Sequence, residues 1–170
     1  MTLFVLDVAA FLSQWTLRNP DGVFLTTQAV VEEIRNRPSR ERVETLISTD
    51  QLRVEVPGPK QIEDAKKAAD DTGDLSILSA TDIELIALAL QESRLDHHVA
   101  VVSSDLAVLN TAASLGLDTI DPERRMRYVI RWRLRCPACG HQEEQDKTSL
   151  ECPVCGTQMK RKARDRREVT

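Results

Sequence analysis

Two sets of residues in this chain have the types and spacing to do chemistry. The first is its four cysteines, which all fall within twenty residues as Cys136-Pro137-Ala138-Cys139-Gly140 and Cys152-Pro153-Val154-Cys155-Gly156. Two C-x-x-C turns separated by twelve residues offer four thiolates to one tetrahedral zinc ion, each at ~2.3 Å, and leave no position open for substrate. The expected metal is therefore structural. A glycine after each second cysteine permits a left-handed residue where the turn closes. Disulfides are the alternative, and without a secretory segment the redox compartment disfavours them. His141, His97 and His98 read as surface histidines.

The second set is acidic. Asp7 follows the apolar run Leu3 to Leu6, and Asp105 follows the run Val99 to Ser103, so each stands at the carboxyl end of a candidate strand, where open α/β sheets bind ligands. Glu33 and Asp82 fall in the first or second turn of candidate helices and could converge on the same edge. Four carboxylates there would raise one another's pKa unless a hard divalent cation neutralised them, and Mg²⁺ or Mn²⁺ suits such oxygen ligands. Between Glu32 and Glu33, helical geometry at 100° per residue with Ile34 at zero puts Glu32 near 160°, toward solvent, and Glu33 near −100°, flanking the core. Plainer roles stay open: Asp105 as a helix cap, and Asp82 as the last member of a capping box, Ser79-Ala80-Thr81-Asp82. An aspartyl-nucleophile phosphatase would need a second aspartate where Ala9 stands. A phospho-acceptor receiver would need paired acids where Leu6 precedes Asp7.

These side chains need a scaffold, and the apolar periodicity predicts an alternating one. Strands are expected at Leu3–Leu6, Leu52–Val56, Val99–Ser103 and Asp118–Ile120. Helices are expected at Val8–Leu17, from Thr26 or Thr27 through about Arg37, from Pro38 to about Ser48, at Lys60–Asp71, Ser79–Glu92 and Asp105–Leu115. Strands alternating with helices imply a parallel sheet covered on both faces. The fold class expected is α/β, with a small C-terminal cysteine module.

Charge divides the chain in the same place. The net −4 averages residues 1–123, with 10 Lys+Arg against 21 Asp+Glu, and residues 124–170, with 13 against 6. An acidic body repels polyanions unless cations intervene, whereas a basic end attracts phosphate. The expected domains are a nuclease-like body at 1–123, a linker at 124–130, a zinc ribbon at 131–158 and a basic, disordered tail at 159–170. No run approaches the ~18 apolar residues of a membrane span, so a cytoplasmic location is expected.

The segments Val5-Leu6-Asp7, Val30-Val31-Glu32-Glu33-Ile34, Leu78-Ser79-Ala80-Thr81-Asp82 and Val102-Ser103-Ser104-Asp105 resemble, in order and spacing, the four acidic motifs of PIN-domain ribonucleases. The added ribbon narrows the resemblance to the NIN-one-binding-protein family, in its compact archaeal form, over nearly the whole chain. The resemblance implies an endoribonuclease that matures the 3′ end of small-subunit ribosomal RNA, acting on the precursor RNA and pre-ribosomal particle. It also implies Asp7, Glu33, Asp82 and Asp105 as the catalytic, Mg²⁺- or Mn²⁺-binding residues. One departure is Ser104-Asp105, where the family often has two consecutive aspartates; it leaves one oxygen fewer for metal. Ser103 aligns with a small hydroxyl residue that would hydrogen-bond Asp7 or Asp105, or is an ordinary serine at a strand end.

RNA would be held by the basic end. From Tyr128 to Cys136 the chain alternates, with Tyr128, Ile130, Trp132 and Leu134 on one face and Arg131, Arg133 and Arg135 on the other. Arginine can pair with phosphate bidentately and stack on bases. Lys160, Arg161 and Lys162 open a second run with six positive charges by Arg167. Trp132 either stacks on RNA or packs on the ribbon, and packing is preferred. Two competing functions remain: a toxin-type PIN ribonuclease, which would usually lack a ribbon, and a non-catalytic RNA-binding assembly factor, which would not need four acidic motifs.

Overall fold

The computed structural model describes residues 2–95, 97–123, 126–144 and 150–169. Strand β1 (Thr2–Leu6) pairs in parallel with β2 (Val23–Thr26) on one side and β4 (His98–Val102) on the other. Strand β3 (Leu52–Val54) extends the sheet beyond β2, and β5 (Asp118–Ile120) extends it beyond β4, giving the order β3-β2-β1-β4-β5. The chain thus winds one way from β1 and the other way from β4. In a parallel sheet this reversal opens a crevice at the carboxyl ends of the two central strands.

Helices α1 (Val8–Leu12), α2 (Gln28–Glu33), α3 (Arg37–Ser48), α4 (Pro59–Thr72), α5 (Ala80–Ser93) and α6 (Leu106–Ser114) cover the sheet. Their ends follow local chemistry. Thr27, Asn36 and Ser79 each accept a hydrogen bond from a first-turn N–H of α2, α3 and α5, and Gly73 closes α4 at φ 75°, a conformation that favours glycine. Helix α5 buries Ile83 and the whole run Leu85–Leu90. It packs in a core with Val5, Leu6, Phe11, Phe24, Val101 and Val102. Each such large side chain contributes roughly 1.5–3 kcal/mol on burial, so Phe24→Ala would cost about 3–5 kcal/mol.

The carboxyl-terminal module is a second sheet, in which β6 (Tyr128–Arg135) lies between β7 (Gln142–Glu143) and β8 (Lys160–Glu168). Leu134, Cys136, Cys152 and Met159 form its small core. The expectation of a disordered tail from 159 is corrected: Lys160–Glu168 runs antiparallel to β6 along its full length. The open edge of β6 supplies backbone partners that composition does not reveal. Likewise β6 begins at Tyr128, inside the expected 124–130 linker, of which residues 124 and 125 lie outside the described residues. The expected helix Val8–Leu17 stops at Leu12, where the Ser13 hydroxyl bonds the Ala10 carbonyl, and a 3₁₀ turn at Thr16–Arg18 follows. Among the described residues no helix is long and apolar enough to cross a membrane.

Candidate active site and cysteine cluster

Asp7 and Ser103 end the two central strands. The Asp7 N–H continues the ladder by donating to Val102 O at 3.1 Å. The Ser103 hydroxyl then donates to Asp7 Oδ2 at 2.6 Å and accepts from the Asp105 N–H at 2.9 Å. One fully buried serine therefore fixes the first and last acidic positions relative to each other. Asp7 Oδ1 also accepts from the Val8 N–H at 2.6 Å. Burial pushes the Asp7 carboxyl above its ordinary range; its bonds from Ser103 and Val8 oppose this, and the charges of Asp82 and Asp105 add to it. A carboxylate disfavoured by burial and like charge is the environment in which a divalent cation restores balance.

Asp82 and Asp105 also play the plainer roles. Asp105 caps α6, accepting from the Ala107 N–H at 2.7 Å. Asp82 completes the capping box, with Oδ2 at 2.7 Å from Ser79 N and 2.8 Å from Ser79 Oγ. A cap uses only part of a carboxylate's acceptor capacity, and both charges still act on Asp7. Of the four acids expected to converge, Asp7, Asp82 and Asp105 are linked by charge. Glu33 is the exposed last residue of α2, and the charges found to act on Asp7 are those of Asp82 and Asp105. Glu33 does not flank the core as the helical projection suggested, because α2 ends there and Ile34 is already extended.

The four cysteines are brought together: their Sγ atoms all lie within 4.8 Å of one another. Cys136–Cys155 and Cys139–Cys152 are each 3.5 Å apart, far beyond a disulfide, and all four are free thiols. Sulfur atoms ~2.3 Å from a central ion at tetrahedral angles stand about 3.8 Å apart, so the cluster fits one ion. The two knuckles repeat each other. Cys136 N donates to His141 O and Gly140 N to Cys136 O, just as Cys152 N donates to Thr157 O and Gly156 N to Cys152 O. Gly140 and Gly156 take φ 78° and 72°. The Thr157 hydroxyl leads in lowering the Cys155 thiol to about 6. The Cys139 thiol is the opposite case: the His141 N–H lowers it, but burial and its three sulfur neighbours prevail and push it up to about 12. Four uncompensated thiolates cannot coexist without a cation. His141 is half-buried beside Glu143, its Nε2 3.3 Å from the Glu143 carboxylate, rather than on the open surface.

Two polar residues that the sequence reading passed over join the sheets. Asn110 clasps the Ile130 backbone as a neighbouring strand would, with Nδ2 on Ile130 O at 2.8 Å and Oδ1 on Ile130 N at 2.6 Å, and it also donates to Asp74 at 2.5 Å. Asp74, 1% exposed, receives Arg161 at 2.7 Å. Burial still raises the Asp74 carboxyl, although Asn110 and Arg161 both oppose it. The signal for Asn110 was present, as a lone amide in the apolar run Leu106–Ala113. Asp74, in a loop after Gly73, gave none.

Arg161 is therefore corrected as a free RNA contact. Its guanidinium bonds Asp74 and Gly73 O and sits 4.6 Å over Trp132, which accounts for the packing of Trp132. The register places Arg133 opposite Lys162 and Arg135 opposite Lys160. Directly opposed residues share a face, so these four cations line one side, while Trp132, Leu134 and Arg161 face the other. Arg131 lies opposite Asp165. Opposed like charges destabilise a sheet and are relieved by an anion. Arg135, Lys160 and Lys162 border a groove of about 630 Å³ beside the first cysteine knuckle.

Residues 4–91 match the family profile described as the PIN domain of ribonuclease. The chain is 34% identical over 136 residues to an "Endoribonuclease Nob1" of Pyrococcus abyssi, covering 80% of this chain and 78% of that protein. A second "Endoribonuclease Nob1", from Archaeoglobus fulgidus, is 36% identical and covers 72% of each chain. "Ribonuclease VapC3" of Aeropyrum pernix is 38% identical, covering 73% of this chain and 86% of that protein.

Proposed function

The chain belongs to the PIN-domain ribonuclease family, and from that premise we propose that it is a metal-dependent endoribonuclease maturing the 3′ end of small-subunit ribosomal RNA. The observation that carries the reading is the joining of the acidic site to a basic, four-cysteine sheet in one chain. A toxin-type ribonuclease needs only the first, and a non-catalytic assembly factor only the second. The names of two Nob1 relatives support the same choice.

In this reading Asp7, Asp82 and Asp105, with Glu33, would hold Mg²⁺ or Mn²⁺. A divalent ion in such a site supplies an activated water and neutralises charge on the scissile phosphate. The protein's own part is positional. Ser103 holds the Asp7 carboxylate through Oδ2 and the Asp105 backbone through its N–H, so the two acids keep their separation. Ser79 restrains Asp82 in the same manner. The cysteines hold Zn²⁺, which would fix the knuckles. Arg131, Arg133, Arg135, Lys160 and Lys162 hold the phosphate backbone, supplying affinity without reading sequence, and Arg161 secures the sheet that carries them.

The test is direct. Purified protein with Mn²⁺ or Mg²⁺ is incubated with precursor small-subunit RNA, and the new ends are mapped. A single cut at the mature 3′ boundary is expected. Absence of cutting, or scattered cuts with no preference for that boundary, refutes the proposal.

A further inference from the structure

Beside the acidic site lies a cavity of about 300 Å³ that none of the roles above uses. It is walled by the loop before α5, by α6 and by β6. Asp74 and Ile77 come from the loop leading into the capping box of α5. Leu106 and Ala107 form the first turn of α6, immediately after Asp105. Tyr128 and Trp132 come from β6. Leu106 is the next residue after Asp105, so only ~3.8 Å of backbone separates their Cα atoms.

Three large hydrophobic residues that stay exposed converge here: Ile77 at 52%, Leu106 at 44% and Tyr128 at 43%. Exposed apolar groups gathered at one concave place signal a binding site more strongly than the same groups scattered. Three of its polar side chains are already engaged, since Asn110 and Asp74 bond each other and Arg161 bonds Asp74 and covers Trp132. The cavity therefore offers flat apolar and aromatic surface rather than hydrogen bonds. Arg127 also lines it, and with Arg161 committed to Asp74 it is the cation left to give positive charge beside an apolar slot.

We infer that this cavity receives one unpaired nucleobase of the RNA strand, adjacent to the phosphate that is cut. A nucleobase is flat, is apolar on both faces and carries an anionic linker, matching a slot of Tyr128, Leu106 and Ile77 that Arg127 also lines. Such stacking accepts every base. The slot would thus select for a strand that can turn one base out, not for a particular base, and would exclude duplex RNA from the carboxylates. The inference rests on the ribonuclease reading and adds the form of substrate.

The test uses the full chain and a short synthetic single-stranded RNA spanning the small-subunit 3′ boundary, with a series of copies each abasic at one position. Binding is measured without added Mg²⁺ or Mn²⁺, and cleavage with it. One abasic position within about two nucleotides of the cut should weaken binding about tenfold. Tyr128→Ala, at an exposed strand start, should weaken binding of intact RNA by a similar factor and abolish the extra penalty of that abasic position. Ile77→Ser provides a second variant, expected to behave alike, should Tyr128→Ala fail to fold. Penalties under about twofold at every position, or a penalty that persists in both variants, overturns the slot. Binding needs no cleavage, so failure of wild-type protein to cut would refute the nuclease reading while the binding series still judged the slot.

Discussion

Replacing Asp7 with asparagine separates the chemical from the structural role of the central carboxylate. The side chain accepts two short bonds, from Ser103 Oγ and Val8 N, both at 2.6 Å. Bonds to a charged acceptor contribute about 1.5–3 kcal/mol and neutral ones about 0.5–1.5 kcal/mol; asparagine keeps one acceptor oxygen and must turn its amide N–H to the other partner, so it forfeits roughly 2–3 kcal/mol across the pair. Against this stand burial and the charges of Asp82 and Asp105. Because the Asp7 carboxyl is raised in spite of both bonds, these unfavourable effects exceed the favourable ones. A neutral side chain is then no worse in the metal-free fold. The thermal midpoint should hold or rise by up to about 2–4 °C, corresponding to ~1 kcal/mol at this chain length. The sign in pH follows: a raised carboxyl contributes stability below its unfolded value and loses it as pH rises through the folded one. The advantage of Asp7→Asn should therefore appear near neutral pH and vanish in acid. Cleavage should fall more than about 100-fold, since disturbing a mere partner of a metal ligand already costs 10–100-fold. Thermal denaturation of metal-free protein at two pH values and a cleavage assay with Mn²⁺ check both halves. Wild-type cutting would refute the site. A midpoint lowered by more than about 4 °C would show that the Asp7 hydrogen bonds outweigh its burial and refute the electrostatic reasoning.

Other outcomes follow from the same structure. Ser103→Ala should keep the fold but lower cleavage about 10–100-fold by freeing Asp7; unchanged rates would make the serine incidental. Arg161→Ala leaves Asp74 buried without its cation, which should cost about 3 kcal/mol and lower the midpoint by roughly 6–12 °C. Because the Asp74 carboxyl is raised when folded, that deficit should shrink as pH falls, and a pH-independent deficit would argue for lost packing on Trp132 instead. Metal analysis should find one zinc per chain, removed by chelators together with the ribbon's fold, whereas less than half an equivalent would reject the four-thiolate site. Neutralising Arg135, Lys160 and Lys162 together should flatten the slope of log affinity for single-stranded RNA against log salt by about 0.7 per cation lost. An unchanged slope would move the phosphate path elsewhere.

What the sequence determined by itself was local. Cysteine spacing fixes the four-thiolate cluster because each knuckle is a short turn whose geometry depends on five residues. The apolar periods of α5, β1 and β4 identify the buried layers, and Asp7 and Asp105 stand where those runs end. Asp82 likewise sits three residues into its capping box by spacing alone. Tertiary structure decided the rest, because it depends on partners distant in the chain. Only the strand order, reversing between β1 and β4, brings Ser103 against Asp7 across 96 residues. Strand β2, four residues long and directly after Pro20-Asp21-Gly22, is too short to show a period and exists because β1 and β3 pair with it. Strand β8 reads as a solvated charge run, and its order comes from the full-length ladder with β6. Glu33 reads as an equal member of the acidic set, yet the early end of α2 leaves it exposed. Arg161 reads as one more cation for RNA, but Asp74, 87 residues away, takes its guanidinium into a buried pair, since a buried carboxylate holds a nearby cation more strongly than water does.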